Sequence, residues 1–101
     1  MSDQEIRSAQ EQIISIFGND PDAGLSTSVV DASISDGLVC RVTDGTDVTQ
    51  IDMPIAFGGT AIGPSPGFHA RAAVASCAAI GIKSAAARAG LALEQVNVRV
   101  E

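Results

Sequence analysis

This 101-residue sequence predicts an α+β fold in the order αβββαβ. Three observations carry that expectation. Residues 2–18 hold an amphipathic helical pattern. Residues 25–53 alternate apolar and polar positions and are punctuated by two Asp-Gly pairs. Residues 66–90 form a long Ala-rich run opened by proline and closed by glycine. Helices on either side of consecutive strands give an open antiparallel sheet packed against helices.

The first helix starts at a capping box. Ser2 accepts from a first-turn N–H, and Glu5, three residues on, reaches back. Ile6, Ala9, Ile13 and Phe17 then form one apolar stripe, with Arg7, Gln10, Glu11 and Ser15 off it. Gly18 is the expected stop, and Asn19-Asp20-Pro21-Asp22 forbids continuation. The stripe suits a helix that packs on a sheet edge or on a partner subunit.

Residues 25–35 read as the first strand. The change of parity between Val29 and Val30 suggests a bulge. Asp36-Gly37 supplies the positive φ of a hairpin turn. Leu38, Cys40 and Val42 then alternate with Val39, Arg41 and Thr43 as a second strand. Asp44-Gly45 is a second turn, and residues 46–53 are a third strand. A loop rich in glycine and proline follows. Ser65 is the expected N-cap of the second helix, and Pro66 suits its first turn, where a missing N–H costs nothing. Gly90 is the expected stop, with Leu91 making the accompanying apolar contact. About two dozen helical residues make a rod of roughly 36 Å. Residues 72–82 carry no charge, and small side chains all round predict a buried central helix. Val96, Val98 and Val100 alternate with Asn97, Arg99 and Glu101, a last half-buried strand.

Composition narrows the function. Six Lys and Arg against twelve Asp and Glu leave a net charge of −6. Nucleic acid and anionic membranes call for basic patches, so neither is an expected partner. His69, Arg71, Lys83 and Arg88 interrupt the long helix, which argues against a membrane span. The N-terminal residues are acidic and polar, unlike a secretory leader. Two cysteines are too few for a disulfide scaffold, and the expected place is the reducing cytoplasm. A chain this short buries a limited share of its surface. One domain, residues 1–101, completed by a homodimer partner is therefore the expectation.

Cys77 is the candidate catalytic residue. It lies too deep in its helix to gain from the N-terminal dipole, so a reactive thiolate there needs a cation or donor from elsewhere. The only histidine, His69, sits about 80° around the helix and some 12 Å along it. Arg71 is about 120° away, and Arg88 about 16 Å along. None of these touches Cys77 within the helix; folding or dimerisation would have to supply a partner. Phe68, His69 and Arg71, at the helix start beside the glycine-rich loop, are the candidate substrate-binding residues. Cys40 shares parity with Leu38 and Val42 and reads as core. Gly58-Gly59-Thr60 lacks the closing Gly-Lys-Ser/Thr of a phosphate loop. One His and two distant Cys give no metal-ligand spacing, so neither metal nor cofactor is expected. The carboxylates cluster in turns and in the first helix and read as solvated charge.

Gly63-Pro64-Ser65-Pro66, then Ala73-Val74-Ala75-Ser76-Cys77, then Arg88-Ala89-Gly90-Leu91 and Val96-Asn97-Val98-Arg99-Val100 resemble the OsmC/Ohr family. The hairpin around Asp36-Gly37-Leu38-Val39-Cys40 fits too, and the likeness covers about residues 25–101. The resemblance implies a dimer whose curved sheets wrap long central helices. It also implies thiol-dependent reduction of organic hydroperoxides, with a lipoyl-type dithiol as reductant. Cys77 matches the peroxidatic cysteine, whose sulfenic acid a second cysteine resolves. The chain departs from the family where Gly67 and Phe68 replace an acidic residue, and where Ser35-Asp36 replaces an arginine. The family's resolving cysteine, second helix and final strands have no counterpart in this sequence. The expectation is either a piece of a longer protein or a short variant whose core a partner completes. The competing expectation is a non-enzymatic OsmC-like module, binding a small apolar ligand or serving as structure, with Cys77 as packing.

Overall fold

The computed structural model describes residues Met1–Glu101. The fold is α+β, with two helices and one three-stranded antiparallel sheet. The chain divides into two compact units. One comprises Met1–Ser26 and Ala73–Glu101, the other Thr27–Ala72.

The helical unit begins with α1, Asp3–Asn19. The Glu5 N–H donates to Ser2 Oγ at 3.1 Å, as the capping pattern requires. The helix runs through Gly18 to Asn19, one residue beyond the expected stop. The Asp20 N–H still donates to the Ile16 carbonyl at 2.9 Å, and the turn Pro21–Gly24 then changes the direction of the chain. The Phe17 ring lies against Gly24, 3.5 Å from where a Cβ would stand.

The second helix, α2, is Pro66–Ala89. Its first seven residues belong to the sheet unit and the remainder to the helical unit. Its C-terminus closes as the sequence predicts. Gly90 takes φ 74, its N–H donates to the Ala87 carbonyl at 3.2 Å, and the Leu91 N–H donates to the Ala86 carbonyl at 2.9 Å. These two bonds form a Schellman motif. The Arg7 Nε–H adds a third, donating to the Ala87 carbonyl at 2.8 Å. A cation at the negative end of the helix adds a second donor to this carbonyl, which has two lone pairs, and complements the dipole. Arg88 with Gln10, and Lys83 with Asp3 at 2.9 Å, complete the strap between the helices.

The expectation of a buried central helix is corrected. Only Ala86 and Ala87 are buried apolar residues, while Val74, Ile80 and Ile82 are 60, 66 and 48% exposed. The helices of this unit meet through long polar side chains near one end of α2, without interlocked apolar ridges. The apolar stripe of α1 is likewise open, with Ile13 and Phe17 exposed.

The sheet unit is a meander of β1 Asp31–Ile34, β2 Cys40–Thr43 and β3 Val48–Ile51, in that order. Ile34 pairs with Cys40 and Cys40 with Ile51; Ala32 pairs with Val42 and Val42 with Thr49. Opposite residues in a sheet share a face. One face therefore carries Ala32, Ile34, Cys40, Val42 and Ile51, and the other Asp31, Ser33, Arg41, Thr43 and Gln50.

All three strands are shorter than the alternation predicts. Asp31 faces Thr43, where β2 ends and the turn begins, so residues 25–30 have no strand opposite them. The expected bulge at Val29 and Val30 falls in this unpaired stretch and is absent. Both turns form where the Asp-Gly pairs lie, with Gly37 at φ 59 and Gly45 at φ 96. In the second turn Asp44 Oδ1 accepts from the Thr46 and Asp47 N–H groups at 2.8 and 2.7 Å. These bonds hold its carboxyl below the usual carboxylate range, the Asp47 N–H contributing most. The expected last strand, Val96–Val98–Val100, is corrected as well: residues 92–101 join no ladder. Alternation needs a neighbouring strand to become a sheet, and the helical unit contains none.

Arg7→Ala removes the charge-assisted bond to the Ala87 carbonyl at a part-buried helix end. The expected loss of stability is about 1–2 kcal/mol, measured by urea denaturation; Arg7→Lys recovers only part of it.

Candidate functional site

Cys77 stands at the midpoint of α2, in the part that belongs to the helical unit. Its thiol is free and the residue is exposed. Ala73 and Gly81, one turn before and after it, are exposed too. Nothing lies within 4 Å of a Cβ built on Gly81. Small neighbours leave the sulfur approachable from outside. No hydrogen bond or ion pair of the chain involves it.

Phe68, His69 and Arg71 lie in the first two turns of α2, in the sheet unit. Ser65 caps this end, its Oγ accepting from the Phe68 N–H at 3.4 Å. The Phe68 and His69 rings meet edge to face, with centroids 5.6 Å apart and planes at 89°. Phe68 is exposed and His69 half-buried, and His69 Nε2 is buried without a hydrogen-bond partner. Arg71 folds back along the helix until its guanidinium is 3.3 Å from where a Cβ of Gly67 would be. A bulkier residue at position 67 would push the guanidinium away. The structure thus brings Phe68 and His69 together and sets Arg71 over Gly67.

Cys40 is half-buried, not fully enclosed core. It opens onto a groove of about 360 Å³ on the apolar face of the sheet. Ala32, Ile34, Leu38, Val42, Ile51, Asp52, Met53 and Pro66 line the groove with it. Ile34 is 57% exposed there, so the groove is open.

Asp52 departs most from the expectation of solvated carboxylates. It is 1% exposed. Its Oδ1 accepts from the Met53 N–H at 2.7 Å. Its Oδ2 accepts from the Thr60 hydroxyl at 2.7 Å and from the Thr60 and Ile62 N–H groups at 3.1 and 3.3 Å. The Thr60 hydroxyl, then the Met53 N–H, hold the carboxyl down at about 2 against the opposing effect of burial.

This carboxylate organises the loop that leads into α2. The Asp52 N–H itself donates to the Pro64 carbonyl at 3.1 Å, and the Ala61 N–H donates to the Met53 carbonyl at 3.2 Å. The approach is so close that a Cβ on Gly59 would lie 1.9 Å from the Met53 oxygen. On Gly63 it would lie 2.4 Å from the Gln50 oxygen. Those two glycines are therefore fixed by packing of backbone on backbone. The sequence holds one hint of this: a lone carboxylate between Ile51 and Met53 that precedes a glycine-rich loop full of free N–H groups.

Compared with protein-family models, with curated proteins and with solved structures, the chain matches none. No helix is long and apolar enough to cross a membrane.

The Asp52 carboxyl sits below its unfolded value of 3.8, so the folded state binds its proton less readily than the unfolded state does. Its stabilisation is fully present above about pH 4 and is lost as the pH falls through about 2. Asp52→Asn turns an NH₂ donor toward groups that themselves donate. The expected result is a variant less stable at pH 5, with the difference shrinking as the acid is increased to pH 2. Urea denaturation across that range measures it. Gly59→Ala is expected to destabilise at both pH values, because its clash with the Met53 oxygen does not titrate.

Proposed function

We propose that the chain is an OsmC-like protein in which Cys77 reduces organic hydroperoxides. The observation that carries the reading is the placement of Cys77: a free, exposed thiol at the midpoint of a 24-residue helix that starts at Pro66. The three-stranded meander that precedes the helix supports the same reading. In the reaction the Cys77 thiolate attacks one peroxide oxygen and the O–O bond breaks. The alkoxide leaves and takes up a proton, giving an alcohol and a sulfenic acid. Sulfur loses two electrons and the peroxide gains them. A dithiol then restores the thiol, leaving as its disulfide with release of water. The cytoplasm, where thiols stay reduced, is the compartment that suits this cycle.

The working form in this proposal is a homodimer. Each unit, taken by itself, leaves large apolar side chains open: Ile14, Ile16, Val74 and Ile80 in one, Ile34, Val48 and Ile55 in the other. Large apolar side chains left open in such number are what a partner surface would cover. A second copy also offers a source for the cation that a Cys77 thiolate requires, since no hydrogen bond or ion pair within the chain reaches the sulfur.

The groove beside Cys40 favours a second reading. Its apolar lining and its volume of about 360 Å³ fit a small apolar ligand, with Cys77 serving only as packing between subunits. Phe68, His69 and Arg71 are the substrate-binding residues proposed for the peroxidase.

Peroxide consumption in the presence of a dithiol separates the two. The expected outcome is turnover of an alkyl hydroperoxide by the wild type and only the buffer rate for Cys77→Ser. Equal rates for the two proteins would remove the catalytic role. In the native protein a maleimide is expected to label Cys77 well before Cys40, read by mass spectrometry of the peptides; a Cys77 inert until unfolding favours the ligand-binding module.

A further inference from the structure

The segment 95–101 alternates in exposure as a strand does but joins no ladder. Val96, Val98 and Val100 are half-buried, whereas Asn97, Arg99 and Glu101 are exposed. On the outer side Gln95 Nε2 donates to Asn97 Oδ1 at 3.1 Å, and Arg99 Nη2 pairs with Glu101 Oε1 at 2.9 Å. Contacts between residues i and i+2 on one side are what an extended chain produces, since its side chains alternate. In residues 92–101 the one main-chain group bonded within the chain is the Leu93 carbonyl, which accepts from Lys83 Nζ at 2.9 Å. A strand with a packed apolar row and free N–H and C=O groups is a template for another strand.

We infer that this segment pairs antiparallel with the same segment of a second copy, with Val98 on the two-fold axis. That register sets Val96 opposite Val100, Val98 opposite itself, Asn97 opposite Arg99 and Gln95 opposite Glu101. Every apolar residue meets an apolar one and no like charges face each other, as cross-strand stability requires. Other registers are worse. An axis at Arg99 brings the two guanidinium groups together. An axis at Asn97 places Val100 against Glu94 and Glu101 against Leu93. A slip of a single residue in the pairing sets valine against the polar row. An interface of this kind is isologous, the same patch serving both subunits. The inference rests on the dimer proposed above and is independent of the chemistry at Cys77.

Cross-linking tests the register. In a Cys40→Ser, Cys77→Ser background, Val98→Cys places two thiols on directly opposite residues. Their Cα atoms would stand about 4.5–5.5 Å apart, within the span a disulfide bridges. Asn97→Cys and Arg99→Cys each place the two thiols on diagonal positions about 7–8 Å apart. The expected result is a disulfide-linked dimer from Val98→Cys at least about ten times faster than from either neighbour, read on non-reducing gels. Equal rates at all three positions would overturn the pairing. So would no cross-link at Val98 in a protein that sediments as a dimer, an outcome that leaves the dimer itself standing. Sedimentation of the unsubstituted chain as a monomer would overturn both.

Discussion

A single buried carboxylate fixes the loop that leads from the sheet into α2. Asp52 follows the last residue of β3 and gathers N–H groups from Met53, Thr60 and Ile62 along with the Thr60 hydroxyl. A glycine-rich loop is costly to order because it loses more freedom than other chains do. An ionised acceptor with four donors around it offsets that cost, since charge-assisted bonds are the strong ones. The loop so fixed delivers Pro64, Ser65 and Pro66 to the position where α2 starts. The first turns of α2, and with them the placement of Phe68, His69 and Arg71, follow from that junction.

At its other end α2 depends on a different device. The Schellman turn at Gly90 and the Arg7 guanidinium together satisfy carbonyls that a helix end leaves free. Between these two ends lie residues with small side chains and no charge. Such a stretch is stable in water only when something packs on it, because the apolar faces of helices contribute most of their stability in proteins. The open side chains of α1, of α2 and of the sheet face make the same demand. A second copy is the proposed answer, and the thiol at the midpoint of α2 would then work at or near that contact.

Local signals in the sequence were legible wherever the interaction spans a few residues. The capping serine, the Asp-Gly turns, the proline start of α2 and its glycine end all stand where the residue types placed them. Each depends on backbone geometry that neighbouring side chains decide. The position of Cys77 on its helix was legible for the same reason, since helical spacing is local. The strand lengths were not. Alternation marks which residues suit a sheet, but a ladder ends where its neighbour turns away, as it does opposite Asp31. The segment around Val98 has every local feature of a strand and no strand beside it.

By itself the sequence determined the order of the two helices and the three paired strands, their capping and turning residues, and the presence of one thiol in the uncharged middle of the second helix. Tertiary structure alone decided that Asp52 is buried and ionised while the other turn carboxylates stay in water. It also decided that Gly59 and Gly63 admit no side chain, and that the apolar faces of helix and sheet remain open in the single chain. The reason is physical. Helix caps and tight turns are closed by residues three or four positions apart, whereas burial depends on what distant segments bring to the same place.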